Sequence, residues 1–179
     1  MIFNVHMKNI FLVGFMGSGK SSIGKRLSKK LNLNHLDTDR IIEKQNSMSI
    51  KEIFKNKDEK FFRHEEFKLI TSLSKTKNQI ISTGGGLFCN NDIIKYINEN
   101  GISIYLKYSS EILYERLKSN NNEDRPILAH IKNEKLKYFI DDLLAERDKY
   151  YRKSTITVEC NDLKKEEILR KINSLIITS

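Results

Sequence analysis

A glycine-rich loop near the start of the chain constrains its fold more than any other segment. Residues 14–21 read Gly-Phe-Met-Gly-Ser-Gly-Lys-Ser, which matches the phosphate-binding pattern G-x-x-x-x-G-K-S. An apolar run at 10–13 precedes the loop, and Ile23, Leu27 and Leu31 follow it four residues apart, which indicates one face of a helix. Strand, loop and helix in this order are typical of a P-loop, in which backbone N–H groups and a helix N-terminus bind a polyphosphate. The sequence therefore predicts an α/β protein that binds a nucleotide.

Six residues of this loop and of the helix after it are candidates for contacts with ATP. Glycines let backbone N–H groups wrap around phosphates without clashes from Cβ atoms. Lys20 would reach the β- and γ-phosphates, and the Ser21 hydroxyl would ligate Mg²⁺. A glycine-rich turn without a ligand is the weaker interpretation, because it would not require the flanking strand and helix. The candidates are Gly17, Ser18, Gly19, Lys20, Ser21 and Ser22.

Length and composition limit the classes of protein to which the chain can belong. Its 179 residues suit one domain over 1–179, and no apolar run reaches the ~18 residues that a membrane span needs. The net charge is +9, but the lysines are scattered without interleaved aromatic side chains, so we expect no nucleic-acid partner. Cys89 and Cys160 lack metal-ligand spacing and fit a reducing compartment. We expect a cytoplasmic protein with no membrane partner.

The alternation of short apolar runs with helical patterns favours a parallel sheet with helices on both faces. Ser49 opens a capping-box pattern at the start of one helix, and Asn90 can cap another. Longer helices are predicted over 58–73 and about 133–151. The candidate strands are 8–13, 33–37, 79–83, 102–107 and 154–159.

A polar segment before the only proline of the chain predicts a mobile lid. Residues 119–124 contain no apolar side chain and lead into Arg125 and Pro126. In a P-loop protein, an arginine at the base of such a segment can close over the nucleotide and exclude water. We therefore predict a lid over 118–130 in which Arg125 contacts ATP and takes part in catalysis. The alternative is a surface turn without a role.

Two aspartates follow the second predicted strand. Asp37 and Asp39 are two residues apart, so in a strand both carboxylates would point to one side, at the sheet edge where open α/β proteins bind ligands. One could help to hold hydrated Mg²⁺, and the other could accept the proton of an attacking hydroxyl. An ordinary turn or helix cap at Asp39, before the apolar pair Ile41-Ile42, explains the pattern equally well.

Glycines and arginines elsewhere in the chain add candidates for an acceptor site. Gly84, Gly85 and Gly86 follow the third predicted strand, where they would permit a ligand to approach the backbone, although a flexible turn is the alternative. Arg147 continues an apolar helical stripe, and Arg63 lies among aromatic and charged side chains. An arginine can bind a carboxylate bidentately, but spacing alone favours an arginine that pairs with an acid or reaches solvent.

Taken together and in this order, these segments resemble the shikimate kinase family. The resemblance runs from Lys8 to about Val158 and is far more specific than the P-loop alone. Departures from the family pattern are Lys149 in place of proline, Tyr151 after Tyr150, and Ser154 in place of alanine. The matching segments are Phe15-Met16-Gly17-Ser18-Gly19-Lys20-Ser21, Leu36-Asp37-Thr38-Asp39 with Ile42-Glu43, Ile50-x-x-Ile53-Phe54, Phe62-Arg63-x-x-Glu66, Gly84-Gly85-Gly86, Arg125-Pro126-Ile127-Leu128 and Arg147-x-x-Tyr150.

The resemblance implies a fold and an activity. The fold would be a three-layer P-loop NTPase fold of the nucleoside-monophosphate-kinase type, with five parallel strands, helices on both faces and a mobile lid. The activity would be ATP-dependent phosphorylation of shikimate to shikimate 3-phosphate, within aromatic amino-acid biosynthesis, by a monomer. Residues 37–66 would form the acceptor-binding segment.

The resemblance also implies a role for each candidate. Lys20 would neutralise phosphoryl charge, Ser21 would bind Mg²⁺ with Asp37 supporting its water shell, and Asp39 would activate the shikimate hydroxyl. The shikimate carboxylate would be held by Arg63 and Arg147, the ring would contact the backbone of Gly85 and Gly86, and Arg125 would close with the lid. The adenine contact stays open among Arg116, Lys118 and Arg152.

Two other functions stay open from the sequence. A kinase of gluconate or of another small metabolite would keep the fold, but it would leave the paired arginines and the adjacent glycines as coincidences. A P-loop regulatory protein that uses ATP as a switch, with or without nucleic acid, predicts the loss of Lys20, Asp39 or an acceptor arginine. All of these residues are present.

Overall fold

The apolar run ahead of the glycine-rich loop forms the central strand of the sheet. All five residues of β1 (Asn9–Val13) are buried. Because successive side chains of a strand point to opposite faces, helices must cover both faces of the sheet at this strand. β1 pairs in parallel with β3 (Gln79–Ser82) and with β4 (Gly101–Lys107). The edges are β2 (Asn34–Asp37) and β5 (Ile156–Glu159), and the strand order is β2-β3-β1-β4-β5.

The structure is a computed structural model that describes residues 8–119, 128, 131 and 133–177. The predicted strands are confirmed, with no end displaced by more than two residues. The N-terminal segment 1–7 and Arg125 of the predicted lid lie outside the described residues. The helices are α1 (Lys20–Leu31), α2 (Thr38–Asn46), α3 (Ile50–Asn56), α4 (Glu59–Leu73), a 3₁₀ turn (Leu87–Cys89), α5 (Asn91–Asn100), α6 (Ser110–Lys118), α7 (Asn133–Tyr151) and α8 (Lys165–Ile177).

Two of the predicted helix starts have the expected side-chain caps. The Ser49 hydroxyl accepts the N–H of Glu52, and the Glu52 carboxylate accepts the N–H of Ser49 at 2.7 Å, so the capping box of α3 is complete. The Asn90 side chain accepts N–H groups from the first turn of α5. Local sequence therefore sets the starts of both helices.

The strand-based argument for the two aspartates is wrong. β2 ends at Asp37, and Asp39 lies in the first turn of α2, so the alternation of a strand does not relate their side chains. Asp37 is the N-cap of α2, and its carboxylate accepts the N–H of Arg40 at 3.4 Å. The predicted cap therefore exists, at Asp37 rather than at Asp39. Because β2 passes directly into α2, both aspartates lie where the C-terminal ends of the parallel strands meet.

A small apolar cluster supports the helices beside this edge. Ile42, Ile53, Phe62 and Leu69 pack together and join α2, α3 and α4, separately from the main core around the sheet. These helices contain most of segment 37–66, whose role in acceptor binding stays a prediction. Among the described residues, no helix has both the length and the apolar character that crossing a bilayer requires.

Candidate active site

The glycine-rich loop joins β1 to α1 and lines a cavity of about 500 Å³. Gly17 and Gly19 have φ angles of 82° and 85°, which favour glycine. No side chain of the described residues caps α1, and its first turn has no acidic residue. The N–H groups at this helix N-terminus are therefore suited to an anion. The predicted ATP-binding residues that line the cavity are Gly17, Gly19, Lys20, Ser21 and Ser22.

Ser18 is the one residue of the predicted ATP-binding set within the described chain that does not line this cavity. Ser18 is buried within the loop, and its N–H donates to the Phe15 carbonyl at 3.2 Å. Its contact with ATP stays a prediction.

The two polar side chains that start α1 are held in different ways. The Lys20 ammonium donates to the carbonyls of Gly14, at 2.7 Å, and Phe15, at 3.0 Å, so it lies over the loop. The Ser21 hydroxyl donates to the Asp37 carboxylate at 2.5 Å. A hydroxyl beside a carboxylate fits Mg²⁺, which takes oxygen ligands and keeps several waters. No group of three or more His, Cys, Asp or Glu side chains within the described residues could hold a metal ion alone.

Two carboxylates converge beside Gly84, those of the buried Glu66 and the half-buried Asp39. A Cβ atom at Gly84 would lie 2.6 Å from both Asp39 Oδ1 and Glu66 Oε1, so only glycine leaves room for these oxygens. Neither oxygen has a hydrogen-bond partner within the described part of the chain. Burial raises the pKa of Asp39 to about 6, with Asp37 adding to the shift and Lys20 opposing it. Burial also raises the pKa of Glu66 to about 7, although the Arg63 guanidinium favours the ionised form.

Helix α4 positions Arg63 by means of two acidic neighbours on the same helix. Arg63 Nη1 donates to Glu66 at 2.6 Å, and Arg63 Nη2 donates to Glu59 at 2.8 Å. These residues are three and four positions apart, the spacing that brings helical side chains together. The guanidinium also lies against Gly86, where a Cβ atom would approach Arg63 Nη2 to 2.6 Å. Glu59 and Glu66 therefore hold Arg63 in place, and glycine at position 86 leaves room for its guanidinium.

The second arginine reaches the same cavity from α7. Arg147 is only 8% exposed, and its Nη1 atom donates to the Gly85 carbonyl at 3.3 Å. Arg63 and Arg147 thus lie beside successive residues of the triglycine loop (residues 84–86), and both line the cavity. A pair of guanidinium groups at one end of a small cavity suits a ligand carboxylate.

Comparison with known proteins identifies the family. The family model described as shikimate kinase matches residues 16–176. A shikimate kinase from Caldanaerobacter subterraneus subsp. tengcongensis is 38% identical over 166 residues, which cover 93% of this chain and 94% of that protein. The chain belongs to the shikimate kinase family. Membership of the shikimate kinase family confirms that the chain is a kinase, so the non-enzymatic alternative is excluded.

Solved structures agree with this assignment to the shikimate kinases. A shikimate kinase from Acinetobacter baumannii in complex with shikimate has a TM-score of 0.88 and 31% identity, and the match covers 96% of this chain and 94% of that chain. A gluconokinase from Sinorhizobium meliloti 1021 covers 97% of this chain and 93% of that chain, with a TM-score of 0.60 and 16% identity, which shows a common fold alone. The predicted α/β P-loop fold is confirmed.

Most of the residues predicted from the shikimate kinase resemblance meet in one cavity. Those that line it outside the glycine-rich loop and α1 are Asp37, Asp39, Arg63, Gly85, Gly86 and Arg147. Arg125 lies outside the described residues. Among the adenine candidates, Arg116 donates to the Gly17 carbonyl at 3.2 Å and lies over the Tyr108 ring, whereas Arg152 pairs with Asp148 at 2.5 Å. Lys118 lies over the Tyr114 ring. Of the three candidates, Arg116 is the one that bonds to the P-loop among the described residues.

Three residues gain importance that the sequence did not assign to them. Glu66 was visible only as part of the family motif, and its spacing from Arg63 is the signal for an ion pair. Nothing in the sequence distinguished Gly84, where a Cβ atom would meet both Asp39 and Glu66, from its neighbours. The third is Tyr151. The family motif was read as Arg147-x-x-Tyr150, but it is the hydroxyl of Tyr151 that donates to the Gly85 carbonyl.

Proposed function

We propose that this protein transfers the γ-phosphoryl group of ATP to shikimate and forms shikimate 3-phosphate for aromatic amino-acid biosynthesis. The observation that carries the proposal is that Arg63, Arg147 and the half-buried Asp39 line the same cavity as the P-loop. Two guanidinium groups suit the carboxylate of shikimate, a group that an uncharged sugar lacks. Family membership supports the same acceptor.

At the nucleotide end, the N–H groups at the start of α1 and the Lys20 ammonium bind the phosphates of ATP. Ser21 would hold Mg²⁺, and Asp37, whose carboxylate oxygen lies 2.5 Å from the Ser21 hydroxyl oxygen, would support the water shell of the ion. When bound, Mg²⁺ neutralises charge on the phosphates. Arg116 is placed to contact the rest of the nucleotide, because it lies beside Gly17.

At the acceptor end, the two arginines orient shikimate, and the backbone of Gly85 and Gly86 contacts its ring. Asp39 accepts the proton of the 3-hydroxyl as that oxygen forms a bond to the γ-phosphorus and ADP leaves. A pKa of about 6 suits this role, because Asp39 is mostly ionised at neutral pH and is still basic enough to accept a proton. Alignment and charge neutralisation supply the remaining catalysis.

Several parts of the proposal rest on the sequence alone. Closure of the lid over 118–130, the contact of Arg125 with phosphate, a monomeric state and a cytoplasmic location are predictions. So is the exclusion of membrane and nucleic-acid partners.

The function is tested by measuring ADP release from ATP and Mg²⁺ with shikimate, with gluconate and with no acceptor. We expect release that depends on shikimate, together with a product heavier by one phosphoryl group in mass spectrometry. Release with gluconate instead would contradict the acceptor assignment and leave the P-loop kinase assignment standing. Lys20→Met is the control, since its loss of activity shows that the release comes from this protein.

A methyl group at Gly84 tests the geometry of the two carboxylates. We expect Gly84→Ala to lower kcat by on the order of 10²-fold, because its Cβ would displace the Asp39 carboxylate from its position near the acceptor. The backbone conformation does not itself require glycine, since Gly84 is not among the glycines with positive φ. Steady-state kinetics and thermal unfolding separate this effect from misfolding. A folded Gly84→Ala variant with the kcat of the wild type would contradict the assignment of Asp39.

A further inference from the structure

Tyr151, the last residue of α7, reaches the triglycine loop. It follows Arg147 by four positions, so both side chains lie on the same face of the helix, one turn apart. The hydroxyl of Tyr151 and the Nη1 atom of Arg147 both donate to the carbonyl of Gly85. The Arg147 bond is long, at 3.3 Å. Tyr151 is therefore the stronger donor to this carbonyl.

The Tyr151 ring is held rigidly. Tyr151 has no exposed surface, and its ring packs on that of Tyr105 with 5.1 Å between the centroids. Burial raises the pKa of the Tyr151 phenol, so the hydroxyl keeps its proton and acts as a donor at neutral pH. The Tyr105 hydroxyl donates elsewhere, to Asp148 at 2.9 Å. Of these two packed tyrosines, whose rings are tilted by 39°, only Tyr151 donates a hydrogen bond to the triglycine loop.

The Gly85 carbonyl controls the direction of a neighbouring N–H group. The carbonyl of Gly85 and the N–H of Gly86 belong to one planar peptide unit, so an oxygen held in place also orients the N–H on the other side of the plane. Glycines on both sides of this peptide leave it more freedom to rotate than any other residues would. Donors from outside the loop, the Tyr151 hydroxyl and Arg147 Nη1, hold one orientation of this peptide.

We propose that Tyr151 is a positioning residue for the acceptor: its hydroxyl holds the Gly85–Gly86 peptide, and thereby the Gly86 N–H and the Arg147 guanidinium, in the orientation that binds shikimate. This inference rests on the proposed function of the site. It assigns Tyr151 no contact with the reacting atoms. Its effect is therefore on acceptor affinity rather than on phosphoryl transfer.

The test compares Tyr151→Phe with Tyr105→Phe. Both substitutions remove one hydroxyl and keep the ring stack, but only the first removes the bond to Gly85. We expect Tyr151→Phe to raise the KM for shikimate roughly tenfold, the effect of one lost hydrogen bond, and to leave the KM for ATP and kcat within about twofold. The Kd for shikimate, from calorimetry without nucleotide, should rise by the same factor. Tyr105→Phe should leave the KM for shikimate within about twofold.

Several outcomes would overturn the inference. An unchanged KM for shikimate in Tyr151→Phe, an equal rise in the KM for ATP, or the same rise in Tyr105→Phe would each assign Tyr151 to packing alone. Thermal unfolding sets an assay temperature at which the wild type and both variants are folded. Failure of the proposed function is distinguishable, because the wild type would then show no release dependent on shikimate in the same assay.

Discussion

Asp39→Asn should lower kcat by roughly 10²–10⁴-fold, the usual contribution of a positioned general base. The amide is close in shape to the carboxylate but cannot accept the hydroxyl proton. The KM values for ATP and shikimate should change only a few-fold, because the P-loop and the two arginines still line the cavity. Steady-state kinetics at saturating Mg²⁺ measures both parameters. Near-wild-type turnover would show that Asp39 is neither a base nor an orienting group.

The pH dependence of the wild type tests the same residue. Because burial raises the pKa of Asp39 to about 6, we expect kcat/KM for shikimate to fall as the pH falls through about 6 and the carboxylate takes up a proton. The residual activity of Asp39→Asn should lack this acid limb. An identical acid limb in the variant would assign the titration to another group.

As the pH rises through about 6, activity should rise while the contribution of Asp39 to stability falls. A carboxyl group whose pKa is raised in the folded state binds protons more tightly there than in the unfolded chain, so its contribution to the free energy of unfolding falls as the pH rises. This destabilisation is absent below the ordinary pKa, near 4, and complete above about 6. Asp39→Asn removes it. We expect a higher Tm than the wild type for the ligand-free variant at pH 7–8 and little difference at pH 4.

Asp37→Asn is the matched control, because Asp37 lies in the same cavity but accepts the Ser21 hydroxyl. We expect this variant to need more Mg²⁺ for half-maximal activity, while Asp39→Asn keeps the Mg²⁺ dependence of the wild type. A loss of kcat in Asp37→Asn that excess Mg²⁺ does not reduce would contradict the separate roles of the two aspartates.

Features set by neighbouring residues could be predicted from the sequence. The P-loop, the strand before it and the caps at Ser49 and Asn90 depend on short segments, and the structure confirms them. The family resemblance predicted that Arg63 and Arg147, which are far apart in the chain, share one site, and both line the same cavity. Spacing alone had favoured an ordinary paired arginine, and Arg63 is indeed paired while it lines the cavity.

Features set by packing between distant elements could not be predicted. Whether Asp39 ends a strand or starts a helix depends on where β2 stops pairing with β3, and this pairing ends at Asp37 and Ser82. The burial of Glu66 depends on α4 packing against the triglycine loop. Whether Tyr150 or Tyr151 bonds to Gly85 depends on how α7 is rotated about its axis, since adjacent residues of a helix point about 100° apart.

Arg63→Ala should raise the KM for shikimate by roughly 10²-fold and leave the KM for ATP nearly unchanged. Removal of one partner of a buried charge pair typically costs about 2–5 kcal/mol, and Arg63 is assigned only to the acceptor. The control is Arg26→Ala, which removes an arginine from an exposed ion pair with Glu166. Such a pair contributes little to stability, and Arg26 does not line the cavity. Equal losses for both substrates would contradict the acceptor role of Arg63.

The same substitution should also destabilise the protein, because it leaves the Glu66 carboxylate buried without its ion-pair partner. We expect the free energy of unfolding to fall by roughly 1–3 kcal/mol at pH 8, and by less below pH 7, where Glu66 takes up a proton. Adding Glu66→Gln to Arg63→Ala removes the unpaired charge. The double variant should regain stability but not affinity for shikimate, since the guanidinium is still missing. Recovery of the KM together with stability would mean that Arg63 acts by maintaining the fold rather than by binding the acceptor.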